Sequence, residues 1–542
     1  MPRSVPTRRR RGNGLVRSIG LVAIVGISTP VVSSCSSDLD SGVTARTASA
    51  ITEPAGASDT SGPATTLPDP EWPGTSQPDT MSSAPTTEPG APPTGPDSPA
   101  DGDGIGDPLY PDLGNPGIDV EDYLVELAFD PATASLAGSV TLQIRFTDDR
   151  DRFTLDSSGP TASTVTVDGA EVEFVHDDVE LRITPDEPLA AGDLAEVRID
   201  YTVTPGVADS FSGLPAGWFN TDLGSWVLNQ PDGARTWLPS NDHPSDKATW
   251  TFRLTVPSGT AAIANGALVG TTPGADGDTW EWREDEPMPT YLVLFVTGDY
   301  QVVESTTADG LPLVSVALSD DLAVMQPFFD GIAEQIDFFD DLFGPYPLDR
   351  YGLAVIDSFP GLAMETQGRS FFSRTDMRSI DGYIEQLLLS HELAHQWFGN
   401  AVSPARWEDI WLNESFATYA QWMWLEHDGF TTVDDEAKLA LANRQAGVGE
   451  PTGSPTADDL FGYNSYDGGA VVLHALRLTV GDEAFFTTLQ RWVADNEGES
   501  RTTDDFIALV EGVSGLQLDE FFDVWLYSDP PPSVYPGPVV VG

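Results

Sequence analysis

In three stretches of the first half of this 542-residue chain, apolar side chains fall at every second position. Val140, Leu142, Ile144 and Phe146 alternate with Thr141, Gln143 and Arg145; Val197, Ile199, Tyr201 and Val203 repeat the pattern, as do Trp250, Phe252, Leu254 and Val256. Successive side chains of a strand point to opposite faces, so this period of two predicts half-buried antiparallel strands. Asp168-Gly169, between Val165/Val167 and Val172/Phe174, adds a hairpin turn. Past Val324 the period changes: Phe328, Ile332, Ile336 and Phe339 lie at helical spacing, as does most of the chain to Trp525. The two periods demand different layers. The chain is therefore predicted to be an α+β multidomain protein, with an all-β module at 113–302 and an α-rich module at 303–530, followed by a tail at 531–542.

The N-terminal fifth reads differently. Arg3, Arg8, Arg9, Arg10, Arg11 and Arg17 precede an apolar run from Ile19 to Val32, too short to span a bilayer but of the length of a signal-peptide core. Val32-Ser33-Ser34-Cys35 then resembles the lipobox of bacterial lipoproteins, whose leader is removed before the acylated cysteine. That resemblance implies a signal peptide at 1–34, a lipid anchor on Cys35, and export to the outer face of the bacterial cell membrane. From 35 to 112 the chain is rich in Pro, Thr, Ser, Gly and Asp, and buries too little apolar surface to fold; it is expected to be a stalk. Asp101-Gly102-Asp103-Gly104-Ile105-Gly106-Asp107 is a poor calcium loop, lacking flanking helices and a full set of carboxylates, and is read as solvated linker.

Charge and cysteine count narrow the function. There are 85 Asp+Glu against 26 Lys+Arg, a formal charge of −59, and removing residues 1–34 makes it −65. Such a field repels phosphates, which excludes nucleic acid as a partner. A single cysteine excludes a disulfide framework and multi-cysteine metal sites.

The chemistry concentrates in the second module. Ile384, Leu387, Leu388, His391, Ala394, His395 and Phe398 share one helical face, with Ser379 or Asp381 as N-cap and Gly399 as the stop. In His391-Glu392-Leu393-Ala394-His395, histidines four apart stack on one face and reach the same ion, while Glu392 points beside them at a bound water. Glu414, nineteen residues on, offers a third ligand from a second helix. Two His and one Glu leave the fourth tetrahedral position for water, as a hydrolytic zinc requires. Asp409 and Asn413 are weighed equally as ligand-orienting groups or as helix caps.

His391 to Asn400, followed by Trp411-Leu412-Asn413-Glu414, resembles the aminopeptidase N family of gluzincin zinc metallopeptidases. Residues 230–237 and 241–248 resemble the segment that closes over that family's substrate site. The resemblance covers about 115–530 and implies an N-terminal antiparallel β-saddle domain, a thermolysin-like α-rich catalytic domain and one zinc ion on His391, His395 and Glu414, in a short two-domain form. Met364-Glu365-Thr366 resembles the family's exopeptidase motif, with Leu362 at its Gly position and Thr366 at its Asn position; it implies that Glu365 binds the free α-amine of a peptide. Gln230 is a further candidate for that amine. Ser465 to Leu473 resembles the segment carrying the oxyanion donor, which implies that role for Tyr466, although Gly468 stands where many members have Lys. The expected activity is hydrolysis of the first peptide bond of peptides with a free N-terminus, with Glu392 as general base. Endopeptidase or epoxide-hydrolase chemistry, or an inactive surface-binding homologue, remain as alternatives.

Overall fold

The computed structural model describes residues 104–536, apart from 178, 210, 211, 213, 214, 381 and 448. The expected leader, Cys35 and the stalk to residue 103 lie outside the described residues. Among the described residues no helix is long and apolar enough to cross a membrane.

The stretches of period two are strands, and their apolar faces are shut off from water: Val140, Leu142, Ile144 and Phe146 are buried in strand Ser135–Phe146. This strand lies in an eight-stranded sheet, between Ile118–Asp130 and Leu194–Val203. The pairing differs from the expected antiparallel pattern at one place. Ile118–Asp130 runs parallel to Lys247–Val256, with Val125 opposite Phe252, because the chain makes a long excursion before returning on the other side of the first strand. The hairpin at Asp168-Gly169 is present, both residues having positive φ (50° and 78°), as a two-residue primed turn requires. A five-stranded sheet is built around Pro215–Thr221 and Gly224–Leu228, and the second of these strands ends just before Gln230.

A third sheet opens the α-rich half. Its strand order is Tyr300–Thr306, Pro312–Leu318, Leu353–Ile356, Ser370–Ser373 and, at one edge, Ala363–Met364. The module boundary expected near 302 falls inside Tyr300–Thr306, which pairs along its length with Pro312–Leu318 and so belongs to this sheet. Alternation marks a strand but not the sheet it joins. The helices of this half are α1 (Leu322–Phe343), α2 (Arg374–Met377), α3 (Gly382–Ala394), α4 (Trp411–His427), α5 (Val433–Arg444), α6 (Asp467–Val480), α7 (Asp482–Asn496), α8 (Thr503–Ser514) and α9 (Asp519–Trp525). Local chemistry sets their ends: Thr502 and Asp505 form a reciprocal capping box at α8, and Gly481 at φ 83° separates α6 from α7.

Apolar contact is continuous between the halves, since Met364, Phe371, Trp407, Ile410 and Leu460 belong to the same buried cluster as the β-module core. The packed chain also begins earlier than a stalk ending at 112 allows. Asp107 and Tyr110 are each 2% exposed. Asp107 Oδ2 accepts from Trp407 N at 2.8 Å and faces His243 Nε2 at 3.2 Å, while Oδ1 accepts from Leu109 N and Tyr110 N. With its oxygens so occupied, Asp107 serves the fold rather than a calcium loop. Similarly, the tail expected from 531 still packs through Tyr535, whose hydroxyl donates to Ala437 O at 2.8 Å and whose ring stacks on Trp525.

Candidate active site

Helix α3 ends at Ala394, one residue before His395, rather than at Gly399. His395 N still donates to His391 O at 3.3 Å, so the ring keeps its place one turn above His391. The chain then turns sharply: Asn400 N donates to His395 O, and Gly399 has φ 122°. A Cβ at Gly399 would lie 3.1 Å from the Asn413 side chain, so glycine lets the turn close onto α4. The proposed N-cap Asp381 lies outside the described residues.

Across from α3, the first turn of α4 presents Glu414. Its Oε2 lies 3.4 Å from His391 Nε2 and 3.3 Å from His395 Nε2. All three residues are buried, and their ligand atoms lie within 4.8 Å of one another. The outer ring nitrogens are engaged: His391 Nδ1 faces Gln421 Oε1 at 2.9 Å, and His395 Nδ1 faces Phe398 O at 3.1 Å. With each Nδ1–H donating outward, the Nε2 atoms of both rings converge on one Glu414 oxygen. Three acceptors gathered in a buried space call for a cation, and this donor set suits a catalytic zinc with one position left for water.

Glu392, Glu365 and Tyr466 border the same space. Glu392 Oε2 is buried with no hydrogen-bond partner among the described residues, and the buried Tyr466 hydroxyl faces the Glu414 carboxylate. A buried oxygen without a partner is costly unless a ligand or water meets it. Tyr466 immediately precedes α6 and lays its ring near that of His391, centroids 5.9 Å apart. Its placement depends on how closely α6 approaches α4, where a Cβ at Gly469 would lie 1.8 Å from Ser415 Oγ. At Gly468 a Cβ would lie 2.4 Å from Asn464 Oδ1, which leaves little room for the expected lysine.

Glu365 follows the edge strand Ala363–Met364 and is 3% exposed. Gln230, arriving from the β module, donates through Nε2 to Glu365 Oε1 at 2.8 Å. The two candidates for the amine are thus brought together. The backbone carbonyl of Glu365 accepts from Asn400 Nδ2 at 2.7 Å and from Gln396 Nε2 at 3.3 Å, so the turn after the histidine helix also fixes Glu365.

Burial and charge shape the titration of this cluster. Burial pushes Glu365 up to about 7, with Glu414 adding to the rise and His395 opposing it. Burial likewise holds Glu392 well above the carboxylate range. Burial opposes the charge of both His395 and Glu414, but their mutual attraction outweighs it, sending the imidazole up to about 10 and the carboxyl down to about 2.

Other expected neighbours do different work. Asp409 accepts from Thr503 N and Oγ1, at 3.0 and 2.6 Å, and so caps α8 instead of orienting a ligand. Asn413 Nδ2 reaches Tyr291 OH at 3.3 Å. The partners of the histidines are Gln421 and the Phe398 carbonyl, which sequence reading missed. Gln421 stands seven residues after Glu414, two helical turns on, which was its available signal. Lys247 was also missed: its Nζ crosses from the β module to Asn400 O at 2.8 Å and Ala401 O at 3.1 Å. Of the remaining histidines and tryptophans, His243, Trp407, Trp411 and Trp422 are buried in packing roles.

The profile described as the Peptidase family M1 domain matches residues 328–525, and that of the Peptidase M1 N-terminal domain matches 120–292. The M1 zinc metallopeptidase of Deinococcus radiodurans, solved as a mutant bound to a Tyr-Ser-Ala substrate, is 31% identical with a TM-score of 0.72, covering 80% of this chain and 100% of its own. The chain belongs to the M1 peptidase family.

A two-domain M1 zinc metallopeptidase bound to L-arginine is also similar, at 32% identity and a TM-score of 0.74, again over 80% of this chain and all of that one. Among curated proteins, mouse endoplasmic reticulum aminopeptidase 1 is 29% identical over 323 residues, 55% of this chain and 34% of its own length. Rice aminopeptidase M1-D is 30% identical over 311 residues, 54% of this chain and 36% of its own. This M1 peptidase therefore spans about a third of the length of those relatives, and the whole length of the two-domain structures.

Proposed function

We propose that this M1 peptidase is a zinc-dependent aminopeptidase that hydrolyses the first bond of peptides with a free N-terminus. What carries the reading is the buried pair of Glu365 and Gln230, 2.8 Å apart and bordering the same space as His391, His395, Glu414 and Glu392. A buried carboxylate beside an amide oxygen suits an ammonium and leaves an acylated nitrogen or a mid-chain residue unpaired. The likeness to aminopeptidases and zinc metallopeptidases supports it.

His391, His395 and Glu414 are the residues that would hold the zinc. When bound there, zinc acidifies a water and polarises the scissile carbonyl. Glu392 takes the proton of the attacking water through its unpartnered Oε2 and passes it to the leaving amine. The hydroxyl of Tyr466 donates to the oxyanion that develops on the carbonyl oxygen. Glu365 and Gln230 hold the α-ammonium and so fix which bond faces Glu392.

The test uses aminoacyl anilides beside their N-acetyl counterparts, with and without a zinc chelator. Chelator-sensitive cleavage of the free-amine set alone is the expected result. The departures at Leu362 and Thr366 favour keeping one second reading, endopeptidase or epoxide-opening chemistry, for which cleavage of acetylated peptides or of an epoxide is the sign. Bound zinc without any turnover would instead mark an inactive surface-binding homologue. As to location, the basic leader, the apolar run and Cys35 support export and a lipid anchor on the outer face of the bacterial membrane; radiolabelled palmitate incorporation lost in Cys35→Ser checks it.

A further inference from the structure

The edge strand Ala363–Met364 and the strand Ser370–Ser373 form an antiparallel hairpin, and the loop that joins them, 365–369, begins with Glu365. A loop held only by its two strands would let that carboxylate wander, but this one is tied down from several sides. Arg369 N donates to Thr366 O at 3.1 Å and Thr366 Oγ1 donates to Arg369 O at 2.5 Å, so the loop closes on itself. Gly368 N donates to Gln396 Oε1 at 2.9 Å. The β module grips Gln367 twice: its N donates to Leu292 O at 3.2 Å, and its O accepts from Asn265 Nδ2 at 2.9 Å.

The side chain of Arg369 makes the widest set of ties. It is fully buried. Its Nε donates to Val314 O of the third sheet at 2.8 Å, while Nη1 and Nη2 donate into the β module, to Ala264 O at 2.5 Å and Gly266 O at 3.3 Å. The guanidinium carbon lies 4.9 Å from the ring centroid of Trp282, which belongs to the eight-stranded sheet. Burial lowers its pKa to about 10, with Arg350 adding to the fall and Glu284 opposing it, so the cation persists at neutral pH. A planar fork with donors in several directions can join three carbonyls at one point, which the compact ammonium of lysine cannot.

The pair that carries the amine reading crosses the same seam. Gln230 comes from the β module and Glu365 from the hairpin, so their 2.8 Å contact requires the hairpin and the module to keep one relative position. We propose, on the basis of the aminopeptidase reading, that Arg369 is a positioning residue for the amine anchor. By fastening the hairpin to the β module at Ala264 and Gly266, it holds Glu365 in register with Gln230 and at a set distance from the metal ligands. It acts through Glu365 and touches neither the metal ligands nor the bound ammonium. Thr366 serves the same end, since its hydroxyl fixes the loop between the anchor and the arginine.

The experiment uses the full chain, zinc-loaded, carrying Arg369→Lys or Thr366→Val, each assayed well below its own thermal midpoint. The first keeps the charge without the fork, and the second removes a hydroxyl at nearly constant volume. Steady-state kinetics on alanine anilide and N-acetylalanine anilide are measured together with zinc content. Arg369→Lys should keep its zinc and any rate on the acetylated substrate, while kcat/KM on alanine anilide falls about tenfold or more, chiefly through KM, because a displaced anchor holds the ammonium less well. Thr366→Val should lose about threefold in the same way. Variants that melt lower but keep KM and free-amine preference within about twofold of the parent would overturn the inference, leaving Arg369 a residue of the fold and Glu365 still the anchor. If Arg369→Lys does not fold, Thr366→Val decides by the same criterion. A parent enzyme with no preference for the free amine would remove the aminopeptidase reading and the inference together.

Discussion

Replacing Glu365 by Gln removes a charge and almost no volume. The amide oxygen of the new side chain can still accept from Gln230 Nε2, which now lies 2.8 Å from Glu365 Oε1, and the Glu365 backbone carbonyl keeps its bonds from Asn400 and Gln396. The cavity wall therefore stays in place. What changes is the fate of the substrate ammonium, which enters a site where Glu365 is 3% exposed and finds no countercharge of its own. Leaving one member of a buried ion pair unmatched costs about 3–5 kcal/mol, and each 1.4 kcal/mol is a factor of ten, so kcat/KM on alanine anilide should fall by about 10²–10⁴. Two controls separate this from general damage: zinc content should stay at one per chain, and any residual rate on the N-acetyl anilide should not change. The selectivity between the two substrates, rather than the rate alone, should collapse. Gln230→Ala, which removes one neutral hydrogen-bond donor from Glu365, should cost about 0.5–1.5 kcal/mol, or roughly two- to tenfold. A Glu365→Gln enzyme that kept its free-amine selectivity within about threefold would refute the assignment of the anchor, and one that lost its zinc would show that Glu365 serves the metal site instead.

Glu392→Gln should retain zinc while kcat falls about 10²–10⁴-fold, the range for a positioned general base; steady-state kinetics with metal analysis checks both. Tyr466→Phe should lower kcat by about 10²–10³ with KM within about threefold, since an oxyanion donor acts on the transition state. Lys247→Met should destabilise the protein in urea by about 1–3 kcal/mol, because it leaves the carbonyls of Asn400 and Ala401 without their Nζ donor. Stability should also depend on pH through three acids of the β module. Burial raises Asp156 to about 6 and Asp242 and Asp246 to about 7 and about 8, from an ordinary value of 3.8. A carboxyl raised by folding lends stability that is full below its unfolded pKa and is lost as pH rises through its folded value. The thermal midpoint should therefore fall between roughly pH 5 and pH 9, and Asp246→Asn should flatten the upper part of that decline.

What could be read from residues was what local spacing encodes. Histidines four apart on a helix fix their own relation, and Glu414 opens a second helix whose start is marked by Trp411 and Asn413, so the three candidate ligands could be named before any fold was known. Gln230 was harder: 135 positions separate it from Glu365, and nothing in the spacing of either residue announces the pairing. The same holds for Lys247, which reaches a turn 153 residues away. Gln421 shares a helix with Glu414 and was legible in principle, but an amide is a weaker signal than a carboxylate for holding an imidazole. Asp409 stayed open between two roles for the complementary reason. Its carboxylate near Glu414 fitted a ligand-orienting role, whereas the start of α8, remote in sequence, takes up its Oδ1. Strand alternation gave the layers, yet the parallel pairing of Ile118–Asp130 with Lys247–Val256 depends on how a long excursion returns.

These long-range contacts share a physical consequence. The α-rich half supplies the three candidate ligands, Glu392 and Tyr466, yet the β module reaches in at Gln230 to Glu365, at Lys247 to the Asn400 turn, and at Tyr291, whose hydroxyl donates to Gly399 O at 2.9 Å. Two of these end on the turn that follows His395. Asn400 in turn holds the backbone of Glu365, so docking of the β module sets the spacing between the amine anchor and the second histidine. A peptide bond is cut where that spacing places it. On the aminopeptidase reading, the choice of the first bond is thus a property of the seam between the modules, and a shift of the seam would misplace the bond even with every metal ligand intact.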